Sequence, residues 1–92
     1  MKLTFPLQIV SLKGVVFEDH VESVYLSGSE GEFEILPFHR SLLAGLPEGE
    51  IKIAHHDSVP IKVGIVMFKD NKCIIVVEAD PKIPMKSRWD DV

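Results

Sequence analysis

Alternation with a period of two runs through most of this chain, and it leaves little room for anything but β-structure. Leu3, Phe5, Leu7 and Ile9 alternate with Lys2, Thr4, Pro6 and Gln8. Successive strand side chains project to opposite faces, so this pattern describes a strand buried on one side. Pro6 has no N–H to give to a ladder, which places the strand at a sheet edge at that point. Gly14 turns the chain into Val15-Val16-Phe17, and Val21 to Leu26 reads as a further strand ending at Ser27-Gly28. Phe33 and Ile35 point one way and Glu32 and Glu34 the other, until Leu36-Pro37 stops the segment. Ile51 and Ile53 alternate with Glu50, Lys52 and Ala54, and the polar run His55-His56-Asp57-Ser58 reads as a hairpin loop. Val59, Ile61, Val63, Ile65 and Met67 make the longest alternation, and Asp70-Asn71 the turn after it. Lys72 to Ala79 is apolar enough to read as a strand buried on both faces.

Turn signals separate these segments at intervals of about 8–12 residues, the spacing of an antiparallel sandwich or barrel. The expected fold is all-β, an antiparallel β-sandwich of about ten short strands. The nearest helical candidate, Phe38 to Leu46, is short and bounded by Pro37 and Pro47. Met85 to Val92 follows Pro81 and Pro84 and is too short for a stable isolated helix. The reading is one β-domain over residues 1–80 and a short tail over 81–92, with no C-terminal helical hairpin.

A chain of 92 residues makes one domain. At this size roughly 60–68% of the unfolded surface is buried, so a core together with a deep substrate cleft would be crowded. Ten basic residues against fourteen acidic ones give a net charge of −4. Nucleic-acid binding depends on neutralising phosphates, so that class is not expected. Between Glu18 and Glu50 stand eight carboxylates and only one strong base, Arg40, which makes one zone of the surface acidic. That zone is either a solvated face or a contact for a basic partner. Cys73 is the lone cysteine, so no intrachain disulfide forms, and within Cys73-Ile74-Ile75-Val76-Val77 it reads as a buried small hydrophobe. The first ten residues alternate rather than form an apolar block, and no apolar run approaches the roughly 20 residues that span a bilayer. A cytosolic protein is the expectation.

Candidate chemistry is sparse. His55, His56 and Asp57 carry metal-binding side chains, but a polar hairpin tip explains them, and zinc asks for three or four spaced ligands. No metal site is expected. Glu30, Glu32 and Glu34 would share one face of an extended strand, where exposed carboxylates stay ionised and repel. Ser41 near His39 lacks a nucleophile elbow, and a buried Cys73 is inert. Neither a P-loop nor a G-x-G-x-x-G fingerprint is present, and Gly28-Ser29-Glu30-Gly31 carries acid where phosphate needs positive charge. The residues themselves describe a small, acidic, catalytically empty β-sandwich with a binding or structural role, without cofactor or small-molecule substrate.

The segment Gly28-Ser29-Glu30-Gly31-Glu32-Phe33-Glu34-Ile35-Leu36-Pro37-Phe38-His39 resembles the signature of F-type ATP synthase epsilon subunits. That pattern is a Gly-x-x-Gly turn, a short strand, Leu-Pro-x-His, and a Leu pair, here Leu42-Leu43. Val16-Phe17, Val21-Glu22-Ser23-Val24, Gly49-Glu50-Ile51-Lys52-Ile53 and the stretch from Gly64 to Glu78 extend the resemblance over residues 3–80. Glu34, Arg40-Ser41 and Val63 depart from the usual residues at their positions.

The resemblance implies a non-catalytic rotor subunit of the central stalk that couples the gamma subunit to the c-ring during proton-driven ATP synthesis. It implies a place at the cytoplasmic face of the bacterial inner membrane, peripheral and held through the complex. Ser29, Glu30, Gly31 and Glu32 would meet the c-ring, and Phe38, His39, Arg40, Leu42 and Leu43 the gamma subunit. Family inhibition and nucleotide sensing reside in a two-helix hairpin, so neither is expected of a tail as short as 81–92. The alternative is a free-standing β-sandwich module recognising a sugar or peptide, with Phe38, Tyr25 and Trp89 as its exposed aromatics.

Overall fold

Eight strands and no helix make up the described part of the computed structural model, residues 2–79. They are β1 (Phe5–Ser11), β2 (Gly14–Val21), β3 (Val24–Gly28), β4 (Gly31–Ile35), β5 (Leu42–Leu46), β6 (Gly49–Ile53), β7 (Val59–Lys69) and β8 (Lys72–Ala79). The all-β expectation holds, with eight strands where turn spacing suggested about ten. The tail over 81–92, with Trp89, lies outside the described residues.

The ladder path runs β2-β1-β8-β7-β6-β3-β4, and β5 is added on β7. The long strand β7 serves both layers of the sandwich. Its first residues, Val59 to Ile61, carry β6, and Gly64 to Phe68 carry β5. A register shift against β8 falls between Ile61 and Val63, where the strand changes partner. Bulges of this kind bend a strand and increase its twist. The pairs are antiparallel except β1 with β8, which runs parallel from Leu7↔Cys73 to Val10↔Val76.

Side chains from both layers fill one core. Phe5, Leu7, Ile9, Leu26, Ile35, Ile51, Val66, Phe68 and Ile75 are each essentially inaccessible, and no polar or charged residue is buried among the described residues. Phe5 and Phe68 meet edge to face with ring centroids 5.4 Å apart. Such a pair adds about 0.5–1.5 kcal/mol beyond its area. Tight turns fix the registers. Asp70 and Asn71 both take left-handed φ, 53° and 59°, between the paired residues Lys69 and Lys72. That is the two-residue hairpin whose twist suits its flanking strands. Ser29-Glu30 joins Gly28 to Gly31 in another two-residue turn, with the positive φ on Gly31 instead.

Several sequence expectations shift. Beyond Pro6, β1 is not an edge strand, because it lies between β2 and β8, but Pro6 itself does meet an open edge on the β8 side. It stands one residue before the β8 ladder begins at Leu7, so its missing N–H interrupts nothing on that side. Val21 to Leu26 is not one strand: Val21 closes β2, and β3 opens at Val24. Glu30 leaves the strand face of Glu32 and Glu34 and occupies the turn. The alternation from Val59 to Met67 does not stay on one face. Ile61 is buried, but beyond the register shift Val63, Ile65 and Met67 face outward, and Gly64, Val66 and Phe68 face the core. Finally, β8 is buried on one face only. Cys73, Ile75 and Val77 are inside, while Ile74 and Val76 are exposed.

Candidate functional site

The open outer face of β8 is part of a wider apolar surface. Across β5, β7, β8, β1 and β2, laterally paired residues put their side chains on the same outer face. One row runs Leu43, Met67, Ile74, Gln8, Glu18; the next runs Gly45, Ile65, Val76, Val10, Val15. Leu43 is 73% exposed, Ile65 54% and Val76 53%, and Val63, Met67, Ile74 and Val15 are also open to solvent. Seven large apolar side chains on one sheet face expose an area on the order of several hundred Å², the scale at which an apolar patch marks a docking site. Lys69 and Lys72, paired to each other, bound it at one end, and Glu18 bounds it on the β2 side.

The residues singled out in the sequence divide by environment. Phe38 is 68% exposed, and Arg40 and Ser41 are exposed beside it. His39 turns inward. Its ring meets Phe68 edge to face at 5.8 Å, and its Nδ1 donates to the Arg40 carbonyl at 2.7 Å. Leu42 packs against the core, while Leu43, the next residue on β5, faces out opposite Met67. The alternation of a strand thus splits the Leu pair between two tasks.

Ser29 and Glu30 stand exposed at the tip of the β3–β4 hairpin, and Gly31 opens β4 at φ 126°, a backbone only glycine adopts easily. Glu32 is exposed and accepts a hydrogen bond from the Tyr25 hydroxyl at 2.7 Å. That bond, then the Glu32 charge, raises the Tyr25 pKa above its ordinary value. Lys52 Nζ lies 5.9 Å from the centroid of the Tyr25 ring, so one cation borders this acidic hairpin. A groove of about 530 Å³ runs between the hairpin and β5, lined by Ser29, Glu30, Phe33, Leu43, Ala44 and Gly45. The fold therefore brings the hairpin residues across a groove from Leu43 alone of the second candidate set, although the two are separate in sequence.

Among the described residues no group of three or more His, Cys, Asp or Glu side chains could hold a metal ion. His55 and His56 diverge, as neighbours in a hairpin do. His55 Nε2 donates to Glu22 Oε1 at 3.3 Å, and His56 meets the Phe17 ring edge to face at 5.0 Å. Burial pushes the Cys73 thiol up to about 12, which keeps it protonated and unreactive.

Comparison with known proteins agrees with this architecture. The family model described as the ATP synthase delta/epsilon chain β-sandwich domain matches residues 4–80. The chain belongs to this family. It is 40% identical over 79 residues to the ATP synthase epsilon chain of Campylobacter fetus, covering 82% of this chain and 61% of that protein. To the epsilon chain of Campylobacter curvus it is 43% identical over 76 residues, covering 78% and 59%. The chain thus spans about three-fifths of the length of these relatives. Two solved structures are similar in fold at 18% identity. One is the central stalk and c-ring of Tetrahymena thermophila mitochondrial ATP synthase, with a TM-score of 0.70 over 84% of this chain and 65% of that one. The other is the Euglena gracilis mitochondrial ATP synthase assembly of OSCP, F1 and c-ring, with a TM-score of 0.77 over 96% and 61%. The outer-face residues Val63, Ile65, Met67, Ile74 and Val76 escaped the sequence reading of this epsilon-type sandwich. Their signal was visible as apolar residues on both faces of β7 and β8, a pattern that a doubly buried strand shares.

Proposed function

We propose that the chain is a rotor subunit of an F-type ATP synthase, joining the gamma subunit to the c-ring and taking no part in catalysis itself. The observation that carries this reading is the exposed apolar face of β5, β7 and β8, which a free-standing small domain would have little reason to keep. In this reading the foot of the gamma subunit covers that face, with Ile65 and Met67 of β7 central, Leu43 along its β5 edge, and Phe38 and Arg40 at its margin. His39 and Leu42 support the contact from beneath through Phe68 and the core. The acidic hairpin tip, Ser29 to Glu32, meets the polar loops of the c-ring. The place of action is the cytoplasmic face of a bacterial inner membrane, reached through the complex. Membership of the family, and the central-stalk and c-ring assemblies among structures of like fold, support the reading.

The physical demands of the role match what the fold supplies. A torque coupler needs stiffness and two interfaces rather than pKa-tuned groups, and a close-packed two-layer core is stiff. Exposed ion pairs at the hairpin contribute only about 0–1 kcal/mol each, so Glu30 and Glu32 set register and approach more than affinity. The test is co-purification of this chain with gamma subunit and c-ring from reconstituted complex, repeated with both Glu30 and Glu32 changed to Lys. Wild-type chain retains both partners, and the double variant loses ring contact, more so at low salt. Failure of the wild-type chain to retain gamma subunit would overturn the assignment. Ring binding indifferent to charge at every ionic strength would overturn the role given to the hairpin.

A further inference from the structure

Phe38 combines two features that rarely coincide. Its backbone is left-handed, φ 64°, a region that residues other than Gly, Asn and Asp seldom enter. Its side chain, which could have been buried to offset that cost, instead points to solvent and is 68% exposed. Besides the local turn, a side chain from far along the sequence holds it. The Phe38 N–H donates to Asn71 Oδ1 at 2.7 Å, and Asn71 Nδ2 donates to the Thr4 carbonyl at 3.4 Å. The next residue, His39, donates its N–H to the Leu36 carbonyl at 3.0 Å and closes the local turn. The Asn71 carboxamide thus bonds to the segment entering β1 and to the 36–41 connection, and its own backbone forms the β7–β8 turn. Pro37 narrows the freedom of Leu36 and of itself, so the turn has few other shapes.

Strained backbone around an exposed side chain is characteristic of contact sites, where the geometry is fixed before the partner arrives. We infer that Asn71 is a positioning residue: its carboxamide holds the 36–39 turn so that Phe38 stands as a preformed aromatic anchor at the Asp70-Asn71 end of the apolar sheet face. The occupant is the partner proposed above for that face, and the inference rests on that reading. Aromatic anchors carry a large share of the energy of such contacts, and one that needs no ordering on binding loses less entropy.

The turn at Asn71 permits a clean test. Asn71→Gly keeps a residue at ease with left-handed φ in the hairpin and removes the side chain that carries the carboxamide. Asn71→Asp keeps the acceptor for the Phe38 N–H and removes the donor to Thr4. Amide hydrogen exchange on the isolated chain and binding of the chain to the assembled gamma subunit and c-ring are both measured. Phe38 amide exchange speeds up about tenfold or more in Asn71→Gly and stays slow in Asn71→Asp. Binding weakens about tenfold in Asn71→Gly, and Asn71→Asp restores most of it. In a Phe38→Gly background, which relieves the strain and removes the ring, Asn71→Gly produces no further loss of binding. An equal loss in both backgrounds would make Asn71 merely structural and overturn the inference, as would unchanged exchange at Phe38. If the wild-type chain fails to bind while Phe38 exchange behaves as stated, the anchor role and the reading of the partner fall together, and the Asn71 tether alone stands.

Discussion

Two adjacent residues, Ile65 and Val66, separate the fold from the proposed contact. Ile65 faces out and is 54% exposed, while Val66 is wholly inaccessible. Threonine at either position keeps a β-branched side chain, so strand propensity changes little in both variants. In Val66→Thr the new hydroxyl lies in the apolar core beside its cross-strand partner Ile75, where no polar group is buried among the described residues. An unpartnered buried hydroxyl costs about 1–3 kcal/mol. With a urea slope of about 1 kcal/mol per molar for so small a chain, the unfolding midpoint falls by roughly 1–3 M. In Ile65→Thr the hydroxyl is hydrated, and stability stays within about 0.5 kcal/mol of wild type. Docking is affected instead: about two methylene equivalents leave the contact at about 0.8 kcal/mol each. The resulting loss of about 1.6 kcal/mol is a weakening of roughly 15-fold. Urea titration followed by far-UV circular dichroism reads the first quantity, and titration onto the gamma subunit and c-ring assembly reads the second. If Ile65→Thr unfolds early and Val66→Thr does not, the register shift between Ile61 and Val63 is misplaced and the two faces are exchanged. If Ile65→Thr is stable yet docks as wild type does, the apolar face is not the contact.

Two further outcomes test the sheet itself. A Cβ on Gly64 would come within 2.9 Å of the Val76 carbonyl oxygen and 3.1 Å of Val77 Cγ1, so Gly64→Ala should lower stability by about 1–3 kcal/mol in the same urea assay, and a neutral result would refute that close approach. Tyr25 has its pKa raised, first by its hydrogen bond to Glu32, so the folded state holds the phenolic proton to higher pH than the unfolded state does. Its contribution is therefore full below about pH 10, the ordinary tyrosine value, and is lost as pH rises through the folded value. Wild type should unfold at higher urea than Tyr25→Phe at neutral pH, the gap closing in strong alkali; a gap that persists there would show that the hydroxyl acts otherwise.

The sequence by itself determined the strand class, most strand positions and the turns, because those depend on neighbours along the chain. Alternation at Leu7 and Ile9, or at Phe33 and Ile35, puts side chains inside wherever the strand lies in the sheet. Asp70-Asn71 tolerates left-handed backbone in any context, so the hairpin was legible there. The family signature over Gly28 to His39 was likewise a local string. What a local string could not carry was the choice of face. One register shift near Lys62 turned Val63, Ile65 and Met67 outward, although their spacing continued that of Val59 and Ile61. Ile74 and Val76 look in sequence like residues of a doubly covered strand, since apolar side chains meant for a core and for a partner have the same chemistry. Only the packing of the second layer shows which of the two β8 faces this chain covers itself. The bond from Asn71 to Phe38 links residues 33 positions apart, and no periodicity in the chain connects them. Local chemistry fixed the elements, while the contacts between distant elements decided which apolar surface was left uncovered.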